Sequence, residues 1–112
     1  MKNSQLYKGS LNTIIMKLLE ENGKMYGYEI TQKVKAITLG ELQITEGALY
    51  PTLHALEAEG LVVTENEYIG KRLRKYYRLS TNGQQKTEEK LNELAEFIAT
   101  LRILLDLKTQ PL

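Results

Sequence analysis

Leu11, Ile14, Ile15, Leu18 and Leu19 recur at three- and four-residue spacing, the interval that gathers side chains on one face of an α-helix. This predicts a first helix beginning after Ser10, whose hydroxyl suits the free amides of a first turn, and stopping at Asn22-Gly23. Residues 24–26 read as a short extended piece. Ile30, Val34 and Ile37 point inward from a second helix over about residues 28–37, preceded by Gly27, where a bulkier residue would hinder close packing. A connector containing Gly40 leads to Thr45, a cap for a third helix with Leu49, Leu53 and Leu56 inward at i, i+4 and i+7. Gly60 is placed to end that helix in the left-handed conformation. Pro51 lies inside it without a backbone donor, so either the first turn is irregular or the helix kinks.

Beyond Gly60 the period changes. Residues 61–64 and 75–79 have strand character, with Tyr77 and Leu79 on one face, and residues 65–74 join them as a hairpin with Gly70 near its tip. From Thr81 to about residue 108 the helical period returns, with Thr81 and Gln84 at capping-box spacing. Leu91, Leu94, Ile98, Leu101 and Leu105 alternate three and four apart, a heptad seam that Phe97 and Leu104 widen. A helix of that length runs about 40 Å and overhangs a domain of this size. Its apolar stripe needs a partner, for which the same helix of a second subunit is the expectation, so the chain is expected to be a homodimer. The expected fold class is mainly α with a small β-hairpin (α+β). It comprises a winged helix-turn-helix over residues 1–80 and a long C-terminal dimerisation helix over residues 81–112.

Composition narrows the function. The 112 residues carry 42% hydrophobic and 26% charged side chains, ordinary for one globular domain. There is no Cys and no Trp, so disulfides and thiolate metal sites are excluded. The first nine residues hold no apolar stretch of signal-peptide length, and the later apolar runs are interrupted by polar residues. A cytoplasmic protein without membrane contact is therefore expected. Net charge is only +1, yet residues 70–78 carry Lys71, Arg72, Arg74, Lys75 and Arg78 with no acid. Glu88, Glu89, Glu93, Glu96 and Asp106 dominate the last third, which points to one end facing a polyanion and another with a separate task.

Candidate chemistry follows that asymmetry. The single His, His54, has no Cys or spaced acid to form a metal site or triad, and no phosphate-cradling glycine loop occurs. Neither catalytic residues nor a cofactor or metal is therefore expected. Binding of double-stranded DNA draws on three elements. The start of the third helix offers Thr45, Glu46, Gly47, Ala48, Tyr50 and Thr52, with Gly47 and Ala48 small enough for close approach to base edges and His54 one turn further on. Lys71, Arg72, Arg74 and Lys75 suit phosphates or the minor groove. Lys8 with Ser10 offers one more phosphate anchor. A winged-helix module that binds another protein through the final helix is the competing expectation.

Four segments carry a resemblance: Tyr26-Gly27-Tyr28-Glu29-Ile30; Glu46-Gly47-Ala48-Leu49-Tyr50-Pro51-Thr52-Leu53-His54-Ala55-Leu56-Glu57; Glu59-Gly60-Leu61; and Arg74-Lys75-Tyr76-Tyr77-Arg78-Leu79-Ser80. Together they resemble the PadR family of bacterial transcriptional regulators, in the short-tailed branch where a single C-terminal helix makes the dimer. The resemblance implies a dimeric repressor on a palindromic operator, often relieved by a small aromatic or drug-like effector. The chain departs from that pattern in having Leu73 where a Pro is frequent and in lacking a Trp on the last helix, where Phe97 is the nearest aromatic.

Overall fold

Ile15, Met16, Leu19, Ile30, Leu49, Leu53 and Val62 are almost completely removed from solvent, and the elements that carry them enclose one core. The computed structural model describes residues 4–106. In chain order it forms α1 (Ser4–Lys8), α2 (Leu11–Asn22), β1 (Lys24–Tyr26), α3 (Gly27–Ile37), α4 (Glu46–Ala58), β2 (Val62–Ile69), β3 (Arg72–Leu79) and α5 (Thr81–Leu104). The three strands make one antiparallel sheet in the order β1-β3-β2. The winged-helix order and the long last helix are as the periodicity predicts.

Local chemistry explains most boundaries. Thr45 caps α4, its hydroxyl accepting the Ala48 amide at 3.2 Å. Helix α4 runs on through Pro51, whose missing donor leaves the carbonyl four residues back, that of Gly47, at an exposed position. Gly60 takes the left-handed conformation at φ +76°. Glu29 reaches back to accept the Tyr26 amide at 3.1 Å, closing the start of α3.

Several expectations are corrected. The short α1 had no periodic signal, being five residues long. Ser10 makes no side-chain cap, and Asn12 instead accepts the Thr13 amide at 2.8 Å. Helix α3 begins at Gly27, one residue early, and Ile37 at its end is exposed rather than core. The wing strands are longer than expected and close through Gly70-Lys71 alone, with Ile69 opposite Arg72. Gly70 at φ +64° meets the demand for glycine at the first turn position of a type II′ hairpin. The connector reading of residues 65–74 failed because charged residues fill them. Those charges line a solvent face and pair across it, as Lys24 does with Glu67 and Arg78 with Glu65. Leu42 and Ile44, assigned to a connector, are buried in the core.

The cap of α5 is Ser80, not Thr81: its hydroxyl accepts the Gly83 amide at 2.9 Å and donates to the Gly60 carbonyl at 2.7 Å. Helix α5 closes at Leu104, and the expected extension over residues 107 and 108 lies outside the described residues. Gly83 and Thr87 are buried where its first turns dock on the core. A Cβ on Gly83 would overlap the Leu61 carbonyl oxygen, a backbone atom that cannot step aside. Replacing Gly83 with Ala is therefore expected to destabilise the protein by about 3 kcal/mol in urea unfolding. Gly47→Ala, which meets only Thr45 Oγ1 at ordinary contact distance, is expected to stay within about 0.5 kcal/mol of the parent or exceed it.

Candidate nucleic-acid interface

The buried stripe of Leu49, Leu53 and Leu56 turns the opposite side of α4 outward. Glu46, Gly47 and His54 are exposed, while Ala48, Tyr50 and Thr52 are half-buried at the flanks. Thr45 is exposed but its oxygen is engaged in the cap. Thr52 donates to the Ala48 carbonyl at 2.8 Å, leaving its oxygen lone pairs to a partner outside the helix. Only Thr45 Oγ1, at 3.9 Å, comes near the space above Gly47, so its lack of a side chain leaves the backbone open to approach from outside.

Two hollows flank α4. One, of about 450 Å³, lies between α4 and the start of α2 and gathers Lys8, Gly47, Ala48 and Thr52. The other, of about 550 Å³, lies between α4, the start of α3 and the wing, and gathers Tyr28, Tyr50, Arg72, Arg74 and Lys75. Tyr50 bridges core and cleft: it packs on the core cluster, lies over Gly27, and its ring sits 6.5 Å from that of His54. Ser10, half-buried beyond the end of α1, is not among the residues of either hollow.

The basic segment is less uniform than its sequence suggests. Alternation along β3 puts Arg72, Arg74 and Arg78 on one face and Leu73, Lys75, Tyr77 and Leu79 on the other. Arg74 is half-buried, with its guanidinium 4.0 Å from the centre of the Tyr26 ring. A hydrogen bond with Tyr76 raises its already high pKa. Lys75 lies 5.5 Å over the Tyr77 ring, and burial pushes that phenol above its ordinary pKa, so it stays neutral. Arg78 faces Glu65 at 3.5 Å. Lys71 and Arg72, at the turn, are exposed.

Tyr28, exposed on the first turn of α3 at the cleft's edge, was missed as a site residue. Its only signal was its place in the Tyr-Gly-Tyr motif. The expected seam of α5 divides. Leu91 and Leu94 are half-buried along a groove of about 450 Å³, facing Ile14, Leu18, Val34 and Ile37 of α2 and α3. Leu101 is half-buried, and Phe97, Ile98, Leu104 and Leu105 are exposed. Among the described residues no cluster of His, Asp or Glu fit to hold a metal occurs, and no helix is long and apolar enough to cross a membrane.

The sequence matches the Transcriptional regulator PadR-like family over residues 15–89. A Mycobacterium tuberculosis transcriptional regulator is 33% identical over 75 residues, 67% of each chain. Among solved structures, a transcriptional regulator from Clostridium thermocellum superposes with a TM-score of 0.80 at 27% identity, covering 95% of this chain and 100% of that one. A PadR family regulator from Eggerthella lenta gives 0.80 at 26%, covering 93% and 88%.

The Gly27–Tyr50 contact sets how α4 leans on α3, which makes it testable by coupling. Gly27→Ala forces the Tyr50 ring aside, for an expected loss of about 1 kcal/mol. In a Tyr50→Ala background the same change is expected to be nearly neutral. The double-mutant cycle from urea unfolding then gives a coupling on the order of 1 kcal/mol.

Proposed function

Because the chain belongs to the PadR-like family of transcriptional regulators, we propose that it is a homodimeric repressor reading a palindromic operator through α4 and its wing. That it is a DNA-binding transcriptional regulator, and not an enzyme, follows from the family itself. The observation carrying the finer reading is the setting of α4, whose small-residue face lies between two hollows that both contain cations.

In this reading Gly47 and Ala48 approach base edges, with Thr45, Glu46, Tyr50 and Thr52 beside them and His54 at the flanking backbone. Lys71 and Arg72 neutralise phosphates beside the wing tip, and Lys8 with Ser10 holds the backbone across α4. Arg74 and Lys75, both laid over tyrosine rings, hold the cleft's shape as well as its charge. Residues 1–80 bind DNA and residues 81–112 pair the subunits.

Dimerisation is supported by what α5 leaves uncovered. Its 24 residues run about 36 Å, longer than either short dimension of the molecule, 30 and 25 Å. Phe97 is 57% exposed and Leu104 72%. A second copy of α5 laid along Leu91, Leu94, Phe97, Ile98, Leu101, Leu104 and Leu105 removes that surface from water. The two α4 helices then need to stand about 34 Å apart to meet successive major grooves. A small aromatic or drug-like effector that re-angles the α5 pair alters that distance and releases DNA.

Titration against a fragment of the protein's own promoter at several salt concentrations tests the reading. Affinity is expected to fall steeply with salt, and Lys71→Ala or Arg72→Ala to lower the slope by about 0.9 each while weakening all sequences alike. Light scattering of Leu101→Glu is expected to give the mass of one chain, against two for the parent, with operator binding lost. A parent that is monomeric and indifferent to duplex DNA would instead favour the protein-interaction module.

A further inference from the structure

Tyr68 and Leu73 face each other across the hairpin one pair behind the Gly70-Lys71 turn, and they are 75% and 57% exposed. They lie on the side of the wing that carries Val62, Tyr77 and Leu79, all buried. The apolar face of the hairpin therefore continues beyond the core it covers, into solvent, at the far end of the projection. Leu73 also lines the cleft that contains Tyr50, so this apolar tip sits on the α4 side of the wing. Ile69, 44% exposed, adds to it from the opposite face.

The charges around the tip select its occupant. From residue 68 to residue 75 there are four cations and no acid, and the wing's acids, Glu65 and Glu67, lie further back, paired with Arg78 and Lys24. A second copy of this chain would bring the same cations together. Duplex DNA offers the complement: phosphate rims for Lys71 and Arg72, and between them a minor groove walled by deoxyribose C–H. A hairpin closed by two residues presents single side chains at its tip, and these, not the ribbon itself, are of a size to enter a groove about 6 Å wide.

We propose that the wing tip is an apolar wedge: Leu73 and Tyr68 enter the minor groove beside the site read by α4, part a base step and bend the duplex. Parting is least costly at flexible pyrimidine–purine steps, so the wedge adds sequence preference at positions no donor or acceptor reads. Lys71 and Arg72 hold the groove's rims while Leu73 supplies the apolar contact that phosphate binding alone does not need. This rests on the DNA-binding reading above and adds deformation of the duplex to it.

The test uses the full chain and an end-labelled duplex chosen by the protein from a random pool, with energy transfer between the ends reporting bending. The parent is expected to shorten the end-to-end distance and to prefer a TA step over an A-tract in the flank. Leu73→Ala with Tyr68→Ala is expected to bind roughly tenfold more weakly, the order of a lost buried apolar contact. It is also expected to bend less and to lose the flank preference, at an unchanged salt slope; Leu73→Met restores bending. Both positions are exposed, so the melting temperature and the number of chains per assembly are expected to match the parent. Variants that bend a bound duplex as the parent does overturn the wedge and leave the regulator reading standing. A fall in the mass of the assembly in solution assigns the tip to self-association and overturns it too. A parent that binds no duplex overturns the DNA reading and the wedge together.

Discussion

Leu49, Leu53 and Leu56 are held almost entirely out of water on one stripe of α4, and the orientation of every candidate contact follows from that burial. Rotating the helix by even one residue would expose a leucine, at a loss of about 1.5 kcal/mol or more per side chain. The leucine stripe thus sets which face of α4 turns outward, with Ala48 and Tyr50 at its flanks also packing on the core. Gly47, exposed and met only by Thr45 Oγ1, is free of any packing demand inside the protein. The Thr45 cap and the freed Gly47 carbonyl above Pro51 lie at the same end, so the first turn of α4 keeps backbone polarity at its surface.

The wing obeys a different constraint. A two-stranded ribbon beyond a core has no buried side to hold it flat, and its outer face is stitched by charge and aromatic contacts instead. Lys24 pairs with Glu67 and lies 5.0 Å from the Tyr76 ring centre, the Tyr26 and Tyr76 rings meet edge to face, and Arg74 covers Tyr26. Cations that looked interchangeable in the sequence therefore divide by task. Those near the base of the wing shape it, and those at the turn are available to a partner. Exposed ion pairs contribute little individually, so this lattice sets geometry more than stability.

How much was legible in the sequence follows the same physics. The helices α2, α3 and α4 show because each buries one stripe, and periodicity reports a stripe. Helix α1 is too short to have a period, and Leu42 and Ile44 are buried from a segment without one. The long strands of the wing were hidden because their charges satisfy one another across the sheet, a pairing that depends on register. The seam of α5 was visible as a heptad, but its division between a groove on the same subunit and an open half depends on where the helix leaves the core. The α4 residues named as candidates from the sequence lie exposed or half-buried, away from its leucine stripe. Tyr28 was missed because its exposure beside the wing is set by the crossing of two helices, which single-chain spacing does not encode.

The place where α5 docks on the core also ties it to α4, the helix proposed to read DNA. Leu61 donates its amide to the Leu56 carbonyl at the end of α4 and accepts the Ser80 amide at 3.0 Å. Ser80 in turn bonds Gly60 and caps α5. With Gly83 seated against Leu61 and the Thr87 hydroxyl bonded to the Gly83 carbonyl, no slack loop separates the two helices. A change in the angle of α5 is absorbed by bending within its exposed half, by a shift against α2, or by tilting α4 through the Gly60-Leu61 corner. The buried first turns are tied to that corner, so under the proposed dimer whatever part of a re-angling reaches them is passed on to α4. Under that proposal the short hydrogen-bonded corner is the route by which motion of α5 reaches α4.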